Sequence, residues 1–344
     1  HDDYVQHLLA DLDADVAYAQ GREVKTIFIG GGTPSLLSGP AMQTLLDGVR
    51  ARLNLAADAE ITMEANPGTV EADRFVEYQR AGVNRISIGV QSFSAPKLTR
   101  LGRIHGPDEA KRAAHMATGL GLRSFNLDLM HGLPEQSIED ALFDLRTAIS
   151  QGPTHLSWYQ LTMEPNTVFW SQPPQLPEDD TLWDIQEAGQ ALLAEHGYRQ
   201  YETSAYAQPG RQARHNLNYW TFGDFLGIGA GAHAKLSHAD GRILRSWKTR
   251  LPKDYLDPAK AFRAGEKQLT ADELPFEFLM NVLRLTDGVP AVLFTQRTGL
   301  ALDAIAKPRR DAEARGLLSN DPARLVATPK GQLFLNDLLQ SFLP

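Results

Sequence analysis

The sequence predicts an α/β protein built on a parallel sheet, and three observations predict it. From Lys25 onward, short β-branched runs alternate with amphipathic segments several helical turns long, the pattern of repeated βα units. Gly82, Gly121 and Gly152 fall just past three of those segments, where a left-handed residue ends a helix. Polar or glycine residues then recur at the exits of successive strands. In a parallel β/α barrel that is the end where ligands bind.

Taken in order, the chain opens in an acidic amphipathic pattern that predicts a helix over residues 3–20. Strands follow at 25–29 (KTIFI), 60–63 (EITM), 85–90 (RISIGV), 124–129 (SFNLDL) and 155–161 (HLSWYQL). Helices are predicted at 39–53, 70–81, 108–119 and 137–150. A helix ahead of the first strand is out of step with a βα repeat, and the chain begins with His1 rather than Met. The expectation is a truncated or incomplete chain whose first strand lies upstream. After Pro165 the pattern changes: a helix at 179–196, the run YRQYETSAY, the segment HNLNYW at 215–220, a glycine-rich turn and a strand near 242–249. Residues 251–270 are charged and contain proline, which predicts a linker. From Ala271 come three helices and RLVATPKGQLFLNDLLQSFL, whose strand–turn–strand reading gives a winged-helix pattern.

Charge narrows the function. The net charge is −8, and residues 270–344 hold 8 basic against 9 acidic side chains. Without a basic face the winged-helix pattern does not read phosphates, so nucleic acid is excluded as a partner. A packing or partner-docking role remains for it. No apolar run reaches the length of a membrane span, and the acidic start is wrong for a signal peptide. These features predict a soluble, cytoplasmic protein that is not itself a membrane protein. The 344 residues contain no cysteine. Disulfides, a thiolate nucleophile, a cysteine zinc site and a thiolate-held iron–sulfur cluster are therefore excluded for this chain.

The strand exits carry the candidate site. The first exit reads Gly30-Gly31-Gly32-Thr33-Pro34-Ser35; glycines without Cβ let backbone groups approach a ligand, or simply make a turn. The second ends in Glu64, the third in Gln91-Ser92, and the fourth carries Asp128 within NLDLMHGLP. Each alone reads equally well as a cap or a satisfied polar residue. Four on successive strands read as one site. It is acidic, rich in amides and without a nucleophile–base pair, which suits a zwitterionic, ribose-bearing ligand better than hydrolysis. The run GIGAGAH at 227–233 misses the dinucleotide-binding spacing, and reads instead as a loop closing over a barrel mouth.

Together IGGGTPS, MEANPGT, RISIGVQSF, LGRIH, FNLDLMHGLPEQ and GIGAGAH resemble the radical S-adenosylmethionine (SAM) family related to oxygen-independent coproporphyrinogen III dehydrogenase. HNLNYW resembles the H-N-x-x-Y-W signature of its HemW branch, the heme chaperones. The resemblance runs along essentially the whole chain. It implies a partial (β/α)6 barrel, its first strand missing here, with a C-terminal helical, winged-helix-like domain. The implied boundaries are 1–250 for the barrel and its extension, 251–270 for the linker and 271–344 for the C-terminal domain. It further implies SAM as cofactor and a 4Fe–4S cluster held by cysteines spaced C-x3-C-x2-C. That motif is absent, so the cluster is not bindable by this chain, and no metal ligand or catalytic residue is assigned.

By the resemblance, Gly31, Gly32 and Thr33 contact the methionine part of SAM. Glu64, Gln91, Arg103 and Asp128 line its remaining polar surface, and Thr162 and the loop around His233 lie near the adenine. Heme is the second implied ligand, with His215, Tyr219 and Trp220 as candidates. From the residues alone, His215 reads more readily as a hydrogen-bonded core or capping residue, with Tyr219 and Trp220 as core or pocket wall, and His131, His233 and His238 are further candidates. The implied role is heme binding and delivery to apoproteins such as membrane-associated respiratory enzymes. The alternative is coproporphyrinogen III dehydrogenase, oxidative decarboxylation in heme biosynthesis.

Overall fold

The computed structural model describes residues 2–69 and 72–344. In chain order, helix α1 (Asp2–Asp15) passes through a 3-10 turn into strand β1 (Val24–Ile29). There follow α2 (Gly39–Arg52), β2 (Leu55–Ala65), α3 (Ala72–Ala81), β3 (Arg85–Gln91), α4 (Ala95–Arg100) and α5 (Pro107–Gly119). Then come β4 (Ser124–His131), α6 (Ile138–Ser150), β5 (His155–Gln160), α7 (Val168–Ser171), α8 (Asp179–Glu195), β6 (Arg199–Glu202) and β7 (Ala205–Ala207). Residues 70 and 71 of the predicted helix 70–81 lie outside the described residues. The chain forms two compact units.

The first unit comprises Thr26–Gln43 and Ala59–Ala213. Its sheet has seven strands in the order β1-β2-β3-β4-β5-β7-β6, curled into a half-barrel. Strands β2 to β5 pair in parallel, and β7 runs antiparallel to both β5 and β6. The run at 198–206 is thus a hairpin closing one edge. Strand residues alternate faces, and here the alternation is chemical. One face buries Ile86, Ile88 and Val90 of β3, Phe125, Leu127 and Leu129 of β4, and Leu156 and Trp158 of β5. Helices α5 and α6 cover this face, with Ala113, Ala117, Leu145 and Ala148 buried beneath them. The other face carries Glu64, Ser87, Asn126, Asp128, His155, Ser157 and Tyr159 at the alternate positions. The helices begin on local signals. Ser137 Oγ accepts the Asp140 N–H at 3.1 Å while Asp140 accepts the Ser137 N–H at 3.0 Å, a reciprocal cap that starts α6.

The second unit gathers the first helix, Thr44–Asp58 and Arg214–Pro344. It contains α9 (Arg214–Trp220), β8 (His233–Ser237), β9 (Ile243–Lys248), α10 (Pro252–Tyr255), β10 (Arg263–Gln268) and α11 (Leu274–Val282). It ends with β11 (Val289–Pro290), α12 (Val292–Thr298), α13 (Ala306–Ala314), β12 (Arg324–Leu325), α14 (Pro329–Leu333) and α15 (Leu335–Gln340). The segment 251–270, read from sequence as a linker, is structured. Pro252 opens a short helix, and β10 pairs antiparallel with β9, with Gly265 opposite Trp247. A Cβ at Gly265 would come within 2.4 Å of the Trp247 ring, so the glycine admits the indole.

The winged-helix pattern also shifts. β11 pairs with β12 and Leu318 bridges Ala327, so the turn precedes Arg324 rather than following it. Past Thr328 the chain is helical, because Thr328 Oγ1 accepts the Gly331 N–H at 3.0 Å with Pro329 in the first turn. The core here is aromatic: Phe278 meets Phe222 and Phe294 edge to face at 5.6 and 5.3 Å. Among the described residues no helix is long and apolar enough to cross a membrane.

Candidate functional site

The polar face of the half-barrel brings the predicted strand-exit residues together. β2 and β3 place Glu64 opposite Ser87, β3 and β4 place Gly89 opposite Asp128, and β4 and β5 place Asp128 opposite Ser157. The glycine run bends over Glu64: the Gly31 N–H donates to Glu64 Oε2 at 3.1 Å. A Cβ on Gly30 would lie 2.8 Å from both that oxygen and the Phe28 ring, so a larger residue there would displace the carboxylate or the ring. Gly31 also has φ +82°, a backbone state glycine adopts freely.

Burial pushes the Glu64 carboxyl above its ordinary range against the Gly31 hydrogen bond, and the nearby Asp128 charge adds to the rise. Asp128 is likewise raised, first by burial, although Asn126 donates to it at 2.7 Å and Arg85 acts on it through space. Two neighbouring carboxylates that resist ionisation form an environment a cationic ligand relieves.

Gln91 sits at a shift in register between β3 and β4 with φ +70°. Its Oε1 accepts the Tyr159 hydroxyl at 2.8 Å. Burial raises Tyr159 to about 12, while Arg103 acts on it in the opposite sense, which brings that exposed guanidinium to the same region. Thr162 is exposed just beyond β5 and donates to Glu164 at 2.9 Å. Thr33 is half-buried beside exposed Gly31 and Gly32. His233 begins β8, in the second unit, and is exposed.

Several polar groups on this face escaped the sequence reading. Asn126, Ser87 and Ser157 surround Asp128, and His155 is enclosed between Asn126 Oδ1 and the Tyr201 hydroxyl, each at 2.6 Å. Burial holds His155 well below its ordinary range, so it stays neutral. The available signal was parity: all of these share the strand face of Asp128.

HNLNYW forms α9 in the second unit. His215 is buried, with Nε2 2.8 Å from the Tyr219 hydroxyl one turn on, and the rings meet edge to face at 4.8 Å. Tyr219 packs on Phe225 at 4.7 Å, and Arg284 lies over Trp220 at 4.3 Å. The Trp220 indole N–H is buried without a hydrogen-bond partner among the described residues. His131 packs on Trp158 at 4.1 Å, and burial takes it down to about 4. The glycine loop is tied to α1: the Gly229 N–H donates to Asp11 at 3.1 Å and the Ala230 N–H to Tyr4 at 3.2 Å.

Comparison with known proteins follows this geometry. The family model for the radical SAM superfamily matches residues 2–145, and that for the HemN C-terminal domain matches residues 269–334. Heme chaperone HemW of Escherichia coli is 68% identical over 343 residues, covering 100% of this chain and 90% of its own length. The chain belongs to the HemW family of radical SAM proteins. HemW of Haemophilus influenzae is 51% identical, covering 99% of this chain and 90% of its own length. In Bacillus subtilis, HemW is 32% identical with 99% and 91% covered. The solved structure of coproporphyrinogen III oxidase (HemN) from Escherichia coli superposes with a TM-score of 0.81 at 23% identity, covering 99% of this chain and 82% of that one. That likeness establishes the fold.

Radical SAM proteins use SAM and a 4Fe–4S cluster. The residues of this chain do not fit the cluster. The sequence contains no cysteine, and among the described residues no group of three or more His, Asp or Glu could hold a metal.

Proposed function

We propose that this chain is a heme chaperone that binds heme, hands it to apoproteins such as respiratory enzymes, and holds SAM in its half-barrel. The observation that carries this reading is the 68% identity, along the whole chain, with a protein named heme chaperone HemW. A cytoplasmic protein fits that role. The likeness to coproporphyrinogen III oxidase is one of fold, and carries no activity to this chain.

The SAM site in this reading is the polar mouth of the first unit. Gly31, Gly32 and Thr33 receive the methionine end, with the Gly31 N–H held by Glu64. The ammonium and sulfonium charges answer the strained carboxylates of Glu64 and Asp128. Gln91 and Arg103 complete the polar lining, with Thr162 assigned to the adenine. When bound, SAM supplies a 5′ carbon activated by its sulfonium. No step is derived through the cluster.

The heme site in this reading is α9. Tyr219 and Trp220 offer flat aromatic faces to a porphyrin, and His215 offers an axial nitrogen. That nitrogen must first leave the Tyr219 hydroxyl. Titration with hemin tests the reading: saturable one-to-one binding is expected. His215→Ala should weaken binding or shift the Soret maximum, while His7→Ala on α1 should leave both unchanged. Absence of saturable binding overturns the proposal.

A further inference from the structure

Gln91 holds a left-handed backbone at φ +70°, a state disfavoured for a non-glycine residue. Something must hold it there. The next residues turn sharply: the Ser92 N–H donates to Val90 O at 2.9 Å and the Ser94 N–H to Ser92 Oγ at 3.1 Å. Both anchors of this turn come from one side chain on α6. Ser92 Oγ donates to Asp144 Oδ2 at 2.7 Å and the Phe93 N–H donates to Asp144 Oδ1 at 2.8 Å. Asp144 is 2% exposed and shares its helix face with buried Ala141, Leu145 and Ala148. An acid on an apolar helix face is poorly placed for the helix alone, yet both its oxygens serve the turn after β3. On the opposite side, Tyr159 fixes the Gln91 carboxamide oxygen at 2.8 Å.

We propose that Asp144 is a positioning residue for Gln91: by clamping Ser92 and Phe93 it keeps the preceding residue left-handed, with its carboxamide presented to the ligand of the half-barrel mouth. The ligand identity rests on the SAM reading above; the clamp rests on geometry within the first unit.

The test uses Asp144→Ala, Asp144→Asn, Gln91→Ala and the double variant of the two alanines, with S-adenosylhomocysteine as probe. Two quantities are read: affinity by calorimetry, and the Gln91 side-chain amide signal by NMR. Asp144→Ala should weaken binding by about tenfold, the scale of lost hydrogen bonds to a charged group, and should move the Gln91 signal. Asp144→Asn should restore the signal and stay within about threefold of the parent, because an amide can still accept from Phe93 and donate to Ser92. In the double variant, Asp144→Ala should add no loss beyond Gln91→Ala, since coupled residues are not additive. Additive losses, or an Asp144→Ala variant with unchanged signal and affinity, overturn the clamp. If the parent fails to bind, or Gln91→Ala binds as tightly, the SAM reading falls, and the NMR signal alone decides the clamp. Should Asp144→Ala not fold, Ser92→Ala removes one arm only and should move the same signal by less; no movement overturns the clamp.

Discussion

Two pairs of acids in this chain look alike in sequence and differ in kind. On α1, Asp11 and Asp15 are buried, and the Lys248 ammonium lies 2.5 Å from an oxygen of each. Tyr255 donates to Asp11 at 2.7 Å and Arg263 to Asp15 at 3.0 Å. At the half-barrel mouth, Glu64 and Asp128 take hydrogen bonds from neutral donors, Gly31 and Asn126, and both carboxyls are pushed above their ordinary range, first by burial. The first pair is neutralised within the chain and builds structure. The second is held by neutral donors, with Arg85 acting on Asp128 only through space, an environment that the proposed ligand would relieve. Local charge balance, rather than the acids themselves, separates a structural pair from a candidate binding pair.

The sharpest way to break that contrast is Lys248→Met. Removing the cation strands buried Asp11 and leaves Asp15 to Arg263 alone, and breaking a buried pair in this way destabilises by about 3–5 kcal/mol. Urea unfolding should show it. A loss under about 1 kcal/mol would mean that the pair is solvated and that the contrast is false.

Asp144 is an intermediate case, a buried acid held by neutral donors. Burial raises its carboxyl to about 6; Asp140 adds to the rise, and Ser92, Phe93 and Lys97 oppose it. Between about pH 4 and 6 the folded chain keeps a proton that the unfolded chain has released. This group's contribution to stability therefore falls as pH rises through that window, by on the order of 2–3 kcal/mol, and is level above it. Glu64 and Asp128 shift in the same direction, while the lowered His131 and His155 act with the opposite sign, so the parent curve mixes several groups. The difference between parent and Asp144→Asn isolates one: measured by urea unfolding at pH 4, 5, 6 and 7, the parent should lose ground steadily up to pH 6. A flat difference would mean that the carboxyl is not desolvated.

Glu64→Gln sharpens the contrast from the other side. It removes a charge that its surroundings disfavour, so stability should hold or rise slightly, while SAM affinity falls by about 1.5–3 kcal/mol. Calorimetry and thermal melting read the two effects separately. A large loss of stability would place Glu64 with Asp11, among the structural acids.

The sequence made the first unit legible because the signals were local. Alternating apolar positions marked β3 to β5, and a polar residue at each exit marked Glu64, Gln91 and Asp128 as one site. What stayed hidden depended on distant partners. Asp144 sits in an ordinary amphipathic pattern, and only the fold shows that it faces Ser92 and Phe93. Asp11 reads as a solvated helix charge until Lys248, more than two hundred residues on, is folded against it. Residues 251–270 read as a linker because the alternation in β10 is charged, and it becomes a strand only by pairing with β9. The wing was misplaced by a few residues because Thr328-Pro329, a helix start, was read as a turn. Histidine was the hardest to read: sequence could mark HNLNYW and a hydrogen-bonded His215, but not that its partner is the Tyr219 hydroxyl one turn on.

That engagement gives the smallest effect and a discriminating one. His215 Nε2 lies 2.8 Å from the Tyr219 hydroxyl, so in this conformation any axial bond to heme iron competes with a hydrogen bond inside α9. Tyr219→Phe keeps the ring that packs on Phe225 and deletes only the competitor. A net intramolecular hydrogen bond is worth about 0.5–1.5 kcal/mol. The variant should melt slightly lower, because a half-satisfied imidazole stays buried, and should bind hemin up to about tenfold more tightly. Unchanged stability with weaker hemin binding would mean instead that the phenol touches the porphyrin or its iron. Lower stability with unchanged hemin affinity would mean that the His215–Tyr219 pair belongs to the framework, like Asp11 and Lys248, and would move the search for the axial ligand to His131, His233 or His238. Of these, His131 is packed on Trp158 and held neutral by burial, whereas His233 is exposed at the start of β8. A His233→Ala variant is therefore the next titration in that case, and loss of its Soret shift would carry the heme site from α9 to the end of the glycine loop.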